Sequence, residues 1–106
     1  MLGAVYLETQ RAVQAEEALE GAVARGAADG FTLTNLGMAQ LGQGRADDAV
    51  ATLRRAVASS PELPQAHYTL GMALEDAGDA SGSNRAYCRA AELAPGVSMF
   101  AMACDR

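Results

Sequence analysis

Apolar and small residues recur at helical spacing along the chain, in segments that end at glycine, serine or proline. In residues 31–43 one helical face carries Leu33, Leu36, Gly37, Gln40 and Leu41. In residues 46–58 the corresponding stripe carries Ala49, Val50, Leu53, Ala56 and Val57. Spacings of three and four residues are typical of amphipathic α-helices, and the following glycines or Ser-Ser-Pro end each segment. The pattern therefore predicts a unit of helix, tight turn, helix and stop.

The same unit returns 34 residues later without a gap. The stretch NLGMAQLGQGRADDAV begins at Asn35, and its counterpart TLGMALEDAGDASGSN begins at Thr69. Nine positions are identical at this offset, among them the Leu-Gly-Met-Ala that starts at Leu36 and again at Leu70. Similarity at one fixed period is the sequence signature of a solenoid, in which each unit buries its apolar face against its neighbours.

A less complete copy precedes these two, and the start of another follows them. The segment from Leu2 to Tyr6 aligns with the first helix of the unit, and Ala15, Leu19 and Ala22 align with the second. The predicted division of the single domain, 1–106, is a partial repeat 1–29, repeats 30–63 and 64–97, and a terminal helix 97–106. The predicted helices are 2–10, 12–25, 31–43, 46–58, 64–77, 80–93 and 97–104, with no strand between them. We expect a fragment of a longer array or a chain whose ends a partner completes, with a short gene as the alternative.

The repeat resembles the tetratricopeptide repeat, whose pattern is W-x2-L-G-x2-Y, then A-x3-F, then A and P. The signature columns hold Leu33, Leu36, Gly37, Gln40, Ala49, Leu53, Ala56 and Pro61 in one copy, and His67, Leu70, Gly71, Leu74, Ser83, Tyr87, Ala90 and Pro95 in the next. Leu33 and His67 replace the tryptophan, and Gln40 replaces the tyrosine. A polar group in the Gln40 column needs a hydrogen-bond partner if it is buried. The resemblance covers nearly the whole chain and implies an all-α fold, a right-handed α-α superhelix of antiparallel helix pairs.

The resemblance also implies a concave groove that binds a protein or peptide. In the two full copies, the columns expected to face this groove hold Phe31, Thr34, Asn35, Met38, Leu41, Gln65, Tyr68, Thr69, Met72, Glu75 and Asp76; in the partial copy they hold Ala4, Leu7 and Glu8. The floor is apolar and acidic residues lie at one end, so it suits a segment with basic residues at one end. Some family members clamp a terminal carboxylate with Lys, Asn and Arg. Here only Asn35 matches a clamp column, which disfavours that ligand class.

Composition narrows the class of partner. The formal net charge is −5, and all eight positive charges are Arg. This balance argues against nucleic acid and against an anionic membrane surface, which both require a basic face. No apolar run reaches the roughly 18 residues of a membrane span, and the first residues lack the features of a signal peptide. We therefore expect a cytoplasmic protein, and the absence of Lys and Ile indicates a GC-rich genome of bacterial type.

The chain holds few residues of catalytic type in any useful arrangement. Cys88 and Cys104 do not make a disulfide framework, so we expect free thiols, with a pairing between them or between chains as the alternative. His67 is interpreted as a partly buried packing residue, because no cysteine, histidine or carboxylate stands at metal-ligand spacing from it. The stretch GDASGSN, residues 78–84, lacks the G-K-[ST] ending of a phosphate loop and is interpreted as an inter-helix turn.

Two further clusters are interpreted as structural. Glu16, Glu17 and Glu20 are expected to form a solvated helix face. Met99 and Met102 are expected to belong to a capping helix packed on the array. No cofactor or metal is expected, and the chain is not expected to be an enzyme.

The leading hypothesis is a non-catalytic protein-interaction module or scaffold, part of a larger protein or complex, whose partner is a protein or peptide. The alternative is a structural solenoid segment whose open ends stack on another copy or on a neighbouring subunit. A concentration-dependent mass measurement discriminates between the two.

Overall fold

The computed structural model describes residues 2–104, and the side chains of residues 10–104. Its helices are α1 Leu2–Ala24, α2 Gly30–Gly42, α3 Ala46–Ser59, α4 Pro64–Asp76, α5 Ala80–Leu93 and α6 Ser98–Cys104. Within these residues all regular structure is helical, which confirms the predicted all-α class. From α2 onward the observed ends agree with the predicted ends to within one residue.

Glycines in the left-handed backbone conformation make the turns inside the helix pairs α2–α3 and α4–α5. Gly44, between α2 and α3, has φ 76°, and Gly78, between α4 and α5, has φ 90°. At each turn, the residue after the glycine donates its backbone N–H to a carbonyl five residues earlier: Arg45 to Gln40 at 3.0 Å, and Asp79 to Leu74 at 2.8 Å. This is the Schellman pattern that ends a helix at a residue without a Cβ penalty. The short turns fold α3 back on α2 and α5 back on α4.

The first predicted pair of helices does not form. Instead of helices over 2–10 and 12–25, the structure has the single helix α1. The position that corresponds to Gly44 is Gln10, which lies inside α1. A residue with a Cβ is disfavoured in the left-handed conformation that the turn requires, so the helix continues. The division into repeats stays a prediction, with the pairs α2–α3 and α4–α5 lying inside its two full units.

Each pair packs where a glycine of the first helix meets a large side chain of the second. A Cβ built on Gly37 would lie 2.5 Å from Leu53 Cγ, and one on Gly71 would lie 2.6 Å from Tyr87 Cδ1. Leu53 is fully buried. Ala49, Ala56, Ala66 and Ala73 are also completely buried, and their small side chains bring neighbouring helices together. The core of this solenoid therefore depends on close backbone approach more than on large side chains.

Gln40 is a polar residue in this core. Its Oε1 is buried and accepts no hydrogen bond within the described part of the chain. The same column of the next copy holds Leu74, which is buried and apolar. The partner that the sequence demanded for Gln40 is therefore missing at Oε1.

Glu16 fastens α1 to the α2–α3 turn. Arg45 Nη1 donates to both oxygens of its carboxylate, to Oε1 at 2.6 Å and to Oε2 at 2.8 Å. The Gln43 side-chain amide also donates to Oε1. The side chain is almost entirely buried, so the expectation of a solvated face is wrong for Glu16 but right for its exposed neighbours Glu17 and Glu20. The Gln43 hydrogen bond, and then Arg45, lower the pKa of Glu16 although burial opposes them.

Helix α6 folds back on α5 and is joined to it by a disulfide between Cys88 and Cys104, whose Cα atoms are 4.5 Å apart. The expectation of free thiols is therefore wrong. The two cysteines are 16 residues apart in sequence, and only the reversal of the chain after α5 brings them together. Phe100 and Ala103 are the buried residues of α6.

The close approach of α2 and α3 predicts that Gly37→Ala destabilises the protein. The new Cβ would overlap the buried Leu53, and overpacking of this kind costs about 1–3 kcal/mol. A matched helical control is Gly21→Ala, where the Cβ would meet only the flexible end of Arg25 at 3.4 Å. Because alanine is the better helix former, that control should gain up to about 1 kcal/mol. Urea denaturation of the two variants measures both values, and equal effects would contradict the packing argument.

Replacing Gln40 by leucine should stabilise the protein by about 1–2 kcal/mol, because it removes a buried acceptor that lacks a partner. The denaturation midpoint should rise without a change in slope. A lower midpoint would show that Gln40 makes a compensating interaction.

The lowered pKa of Glu16 predicts a pH dependence of stability. Its ionised form is favoured by folding, so this contribution is complete above the ordinary glutamate pKa of about 4.3 and is lost as pH falls through the lower folded-state value. Wild type should therefore exceed Glu16→Gln in stability at neutral pH, and the gap should close in acid. Denaturation midpoints of both chains over a pH series measure the gap, and a gap that is constant with pH would refute this assignment.

Candidate functional site

The structure sorts the predicted groove residues by exposure. Phe31, Asn35, Met38, Gln65, Glu75 and Asp76 are exposed, Leu41, Tyr68 and Met72 are partly exposed, and Thr34 and Thr69 are buried. The side chains of Ala4, Leu7 and Glu8, the groove positions predicted for the partial copy, lie outside the described side chains. The candidate surface is therefore defined by α2 and α4, which contact each other directly.

Two large apolar side chains on α2 face solvent. Phe31 is 64% exposed and Met38 is 51% exposed. They stand seven residues apart with Asn35 between them, so all three share one face of the helix. The two large apolar side chains on one face make this part of α2 a candidate contact surface.

Thr34 and Thr69 have a structural role. The Thr34 hydroxyl donates to the carbonyl of Gly30 at 2.6 Å, and the Thr69 hydroxyl donates to the carbonyl of Gln65 at 2.8 Å. Both bonds lie within the residue's own helix. Burial and these bonds leave the two side chains facing the interior, so the exposed part of the groove is formed by their neighbours.

Three aromatic rings join α4, α5 and α6. The ring centroid of Tyr68 lies 5.3 Å from that of Tyr87 and 5.0 Å from that of Phe100, both in tilted arrangements. The Tyr87 hydroxyl donates to Glu75 Oε1 at 3.0 Å. Burial, and then the contact with the Glu75 carboxylate, raise the pKa of Tyr87 to about 12. The rings hold Tyr68 in place, with part of its side chain open to solvent.

Helix α6 adds two methionines to the candidate surface. Met99 is 54% exposed and Met102 is 71% exposed. The interpretation of α6 as a packed helix is correct, but Phe100 and Ala103 make the packing and the methionines do not. Met99 and Met102 stand 34 residues after Gln65 and Tyr68, so the repeat offset could have identified them as groove columns. A shallow pocket between α4 and α6 is lined by Tyr68, Ser98, Met99, Met102 and Ala103.

Acidic side chains gather beside the C-terminal end of α4. Asp76 lines a surface depression together with Asp47 and Asp48, at the start of α3. Arg45 also lines it, but this arginine is held by Glu16 and by Asp48, whose Oδ2 is 2.9 Å from Arg45 Nε. The three aspartates outnumber the arginine, so this end of the surface is negative.

The other residues considered for catalysis or ligand binding make contacts within the fold. His67 is partly buried, and its Nε2 lies 2.8 Å from the carbonyl oxygen of Pro61. Residues 78–84 form the predicted turn and helix start, where Asp79 caps α5 by accepting from the N–H of Gly82 at 2.9 Å.

Over the described residues, no group of three or more His, Cys, Asp or Glu side chains is placed to hold a metal ion. Nor is any helix in that region both long and apolar enough to span a bilayer.

Comparison with known proteins identifies the repeat independently. A family model described as tetratricopeptide repeat matches residues 34–98, more than half of the 106-residue chain. A search of curated proteins finds no match.

Proposed function

The chain belongs to the tetratricopeptide repeat family, and we propose that it is a non-catalytic interaction module that binds a segment of a partner protein in its concave groove. Repeats of this family are generally protein–protein interaction modules. For this chain, we further propose which residues line the groove and what kind of peptide segment binds there.

One observation carries the proposal. Among residues 10–104, the exposed large hydrophobic residues are Phe31, Met38, Val97, Met99 and Met102. All of them except Val97 occupy columns assigned to the groove by the repeat offset. Large apolar residues that are exposed in these columns support binding of an apolar segment there.

Charge suggests the orientation of the segment. Glu75 and Asp76 lie at the C-terminal end of α4, next to the acidic depression formed with Asp47 and Asp48. An amphipathic or extended peptide with apolar anchors and a basic residue at one end complements this arrangement. Its basic end would lie over the aspartates, where it would contribute to the association rate and to salt dependence.

The test compares apolar truncations on and off the groove. The probe is a fluorescein-labelled peptide selected from a random-peptide phage library against the wild-type chain. Phe31→Ala and Met38→Ala should each weaken binding by about 5–30-fold, or about 1–2 kcal/mol, because exposed aromatic and methionine anchors act as hot spots. Tyr68→Ala should also weaken it, but it additionally removes the ring contacts to α5 and α6.

Two controls accompany the titration. Arg54→Ala alters an exposed residue of α3, and Val97→Ala truncates an exposed apolar residue outside the groove columns. Both should retain wild-type affinity. Loss of binding in Arg54→Ala with unchanged binding in Phe31→Ala would place the binding surface elsewhere. If the chain instead gains mass with concentration, and Phe31→Ala prevents this, the surface serves self-assembly.

A further inference from the structure

Helix α6 is too short to be stable by itself. It has seven residues, whereas isolated helices in water are marginal below about 12–15 residues. Its position must therefore come from contacts with the rest of the chain. These are the burial of Phe100 and Ala103, the ring contact between Phe100 and Tyr68, and the Cys88–Cys104 disulfide.

The disulfide fixes the far end of this helix. Cys104 is the last residue of α6, and Cys88 lies in the middle of α5. The aromatic contact lies one turn earlier, at Phe100. Within the described residues of that final turn, Ala103 is the buried side chain, and it has little apolar area to bury. The disulfide is therefore the one covalent contact between the last turn of α6, which includes Met102, and α5.

The position of α6 determines the size of the groove. Met99 and Met102 continue the columns of Gln65 and Tyr68 onto a third helix, and the pocket between Tyr68 and the methionines exists only while α6 is docked. Methionine side chains are flexible and polarizable, so they adapt to aliphatic or aromatic groups of different shape. A pocket with this lining suits an apolar side chain of a partner peptide.

We propose that the Cys88–Cys104 disulfide controls partner binding by holding α6 as the third helix of the groove, with Met99, Met102 and Tyr68 receiving an apolar anchor of the peptide. This inference rests on the proposed function, because it concerns the same groove. The oxidised chain is the high-affinity form, and reduction frees α6 and removes the anchor site.

The redox step is a thiol–disulfide exchange with a dithiol. A thiolate of the dithiol attacks one sulfur of the Cys88–Cys104 bond, which breaks as a mixed disulfide forms. The second thiol of the reagent then releases the protein, so two electrons and two protons reach the cysteines and the dithiol becomes a cyclic disulfide. Both cysteines are partly exposed, which gives the reagent access to the bond.

The experiment is a cycle of redox state against Met102→Ala. The probe is the library-selected peptide that defines the groove, titrated against oxidised and dithiothreitol-reduced chains. Reduction should weaken binding to wild type by about tenfold, equivalent to about 1.4 kcal/mol. Met102→Ala should weaken the oxidised chain by about fivefold and the reduced chain by less than about twofold, because its anchor site is already lost.

A serine variant separates reduction of the protein from other effects of the reagent. Cys88→Ser with Cys104→Ser should bind like the reduced wild type and should not respond to dithiothreitol. Hydrogen exchange at residues 98–104 should be faster in the reduced and serine chains, while exchange in α2 to α4 stays slow. This pattern would show release of α6 without global unfolding.

The outcomes distinguish this proposal from the one it rests on. If no library peptide binds in a manner that depends on Phe31 and Met38, the proposed function is wrong and the redox proposal falls with it. If such a peptide binds oxidised and reduced chains with equal affinity, the groove stands and the redox proposal is overturned. A loss of affinity on reduction that is the same in wild type and Met102→Ala would also overturn it, because the effect would not pass through the α6 methionines.

Discussion

The packing of a glycine against a large side chain within each helix pair is the constraint on which the structure depends. At Gly37 and Gly71 even a single Cβ would overlap Leu53 or Tyr87, so the backbones approach closely and a chain with few aromatic residues can still exclude water from its core. Completely buried alanines continue this close contact between successive pairs. In this arrangement the first helix of each pair buries one set of residues against the second helix and exposes another set to solvent.

This division of each first helix into a packing face and an exposed face links fold to function. Leu33, Leu36 and Gly37 lie inside, while Phe31, Asn35 and Met38 lie outside on the same helix. The exposed phenylalanine and methionine take no part in the buried core and are open to contact with a partner. The acidic residues beside the C-terminal end of α4 then give this apolar surface a polarity, which is the basis of the proposed preference for a basic partner.

The first and the last of the described helices, α1 and α6, are held by different interactions. At the N-terminal side, the buried Glu16 carboxylate joins α1 to Arg45 and Gln43 of the α2–α3 turn. At the C-terminal side, an aromatic contact and a disulfide hold the short helix α6. An ionic contact is sensitive to pH and a disulfide to redox state, so these two helices are held by interactions of a different kind from the alanine and glycine packing between them.

The sequence by itself determined the period, the all-α class and the helix ends from α2 onward, because glycine, proline and small residues in fixed columns act locally and reappear at each repeat. The sequence also held the reason why α1 has no turn, because Gln10 occupies the column of Gly44. Only the tertiary structure decided which groove columns are exposed. Thr34 and Thr69 turn inward to bond their own helices, and Glu16 is buried because the α2–α3 turn covers it. The pairing of Cys88 with Cys104 and the exposure of Met99 and Met102 likewise depend on how α6 folds back on α5. The burial of Glu16, the disulfide and the exposure of the α6 methionines arise from contacts between residues distant in sequence, and a local pattern does not encode such contacts.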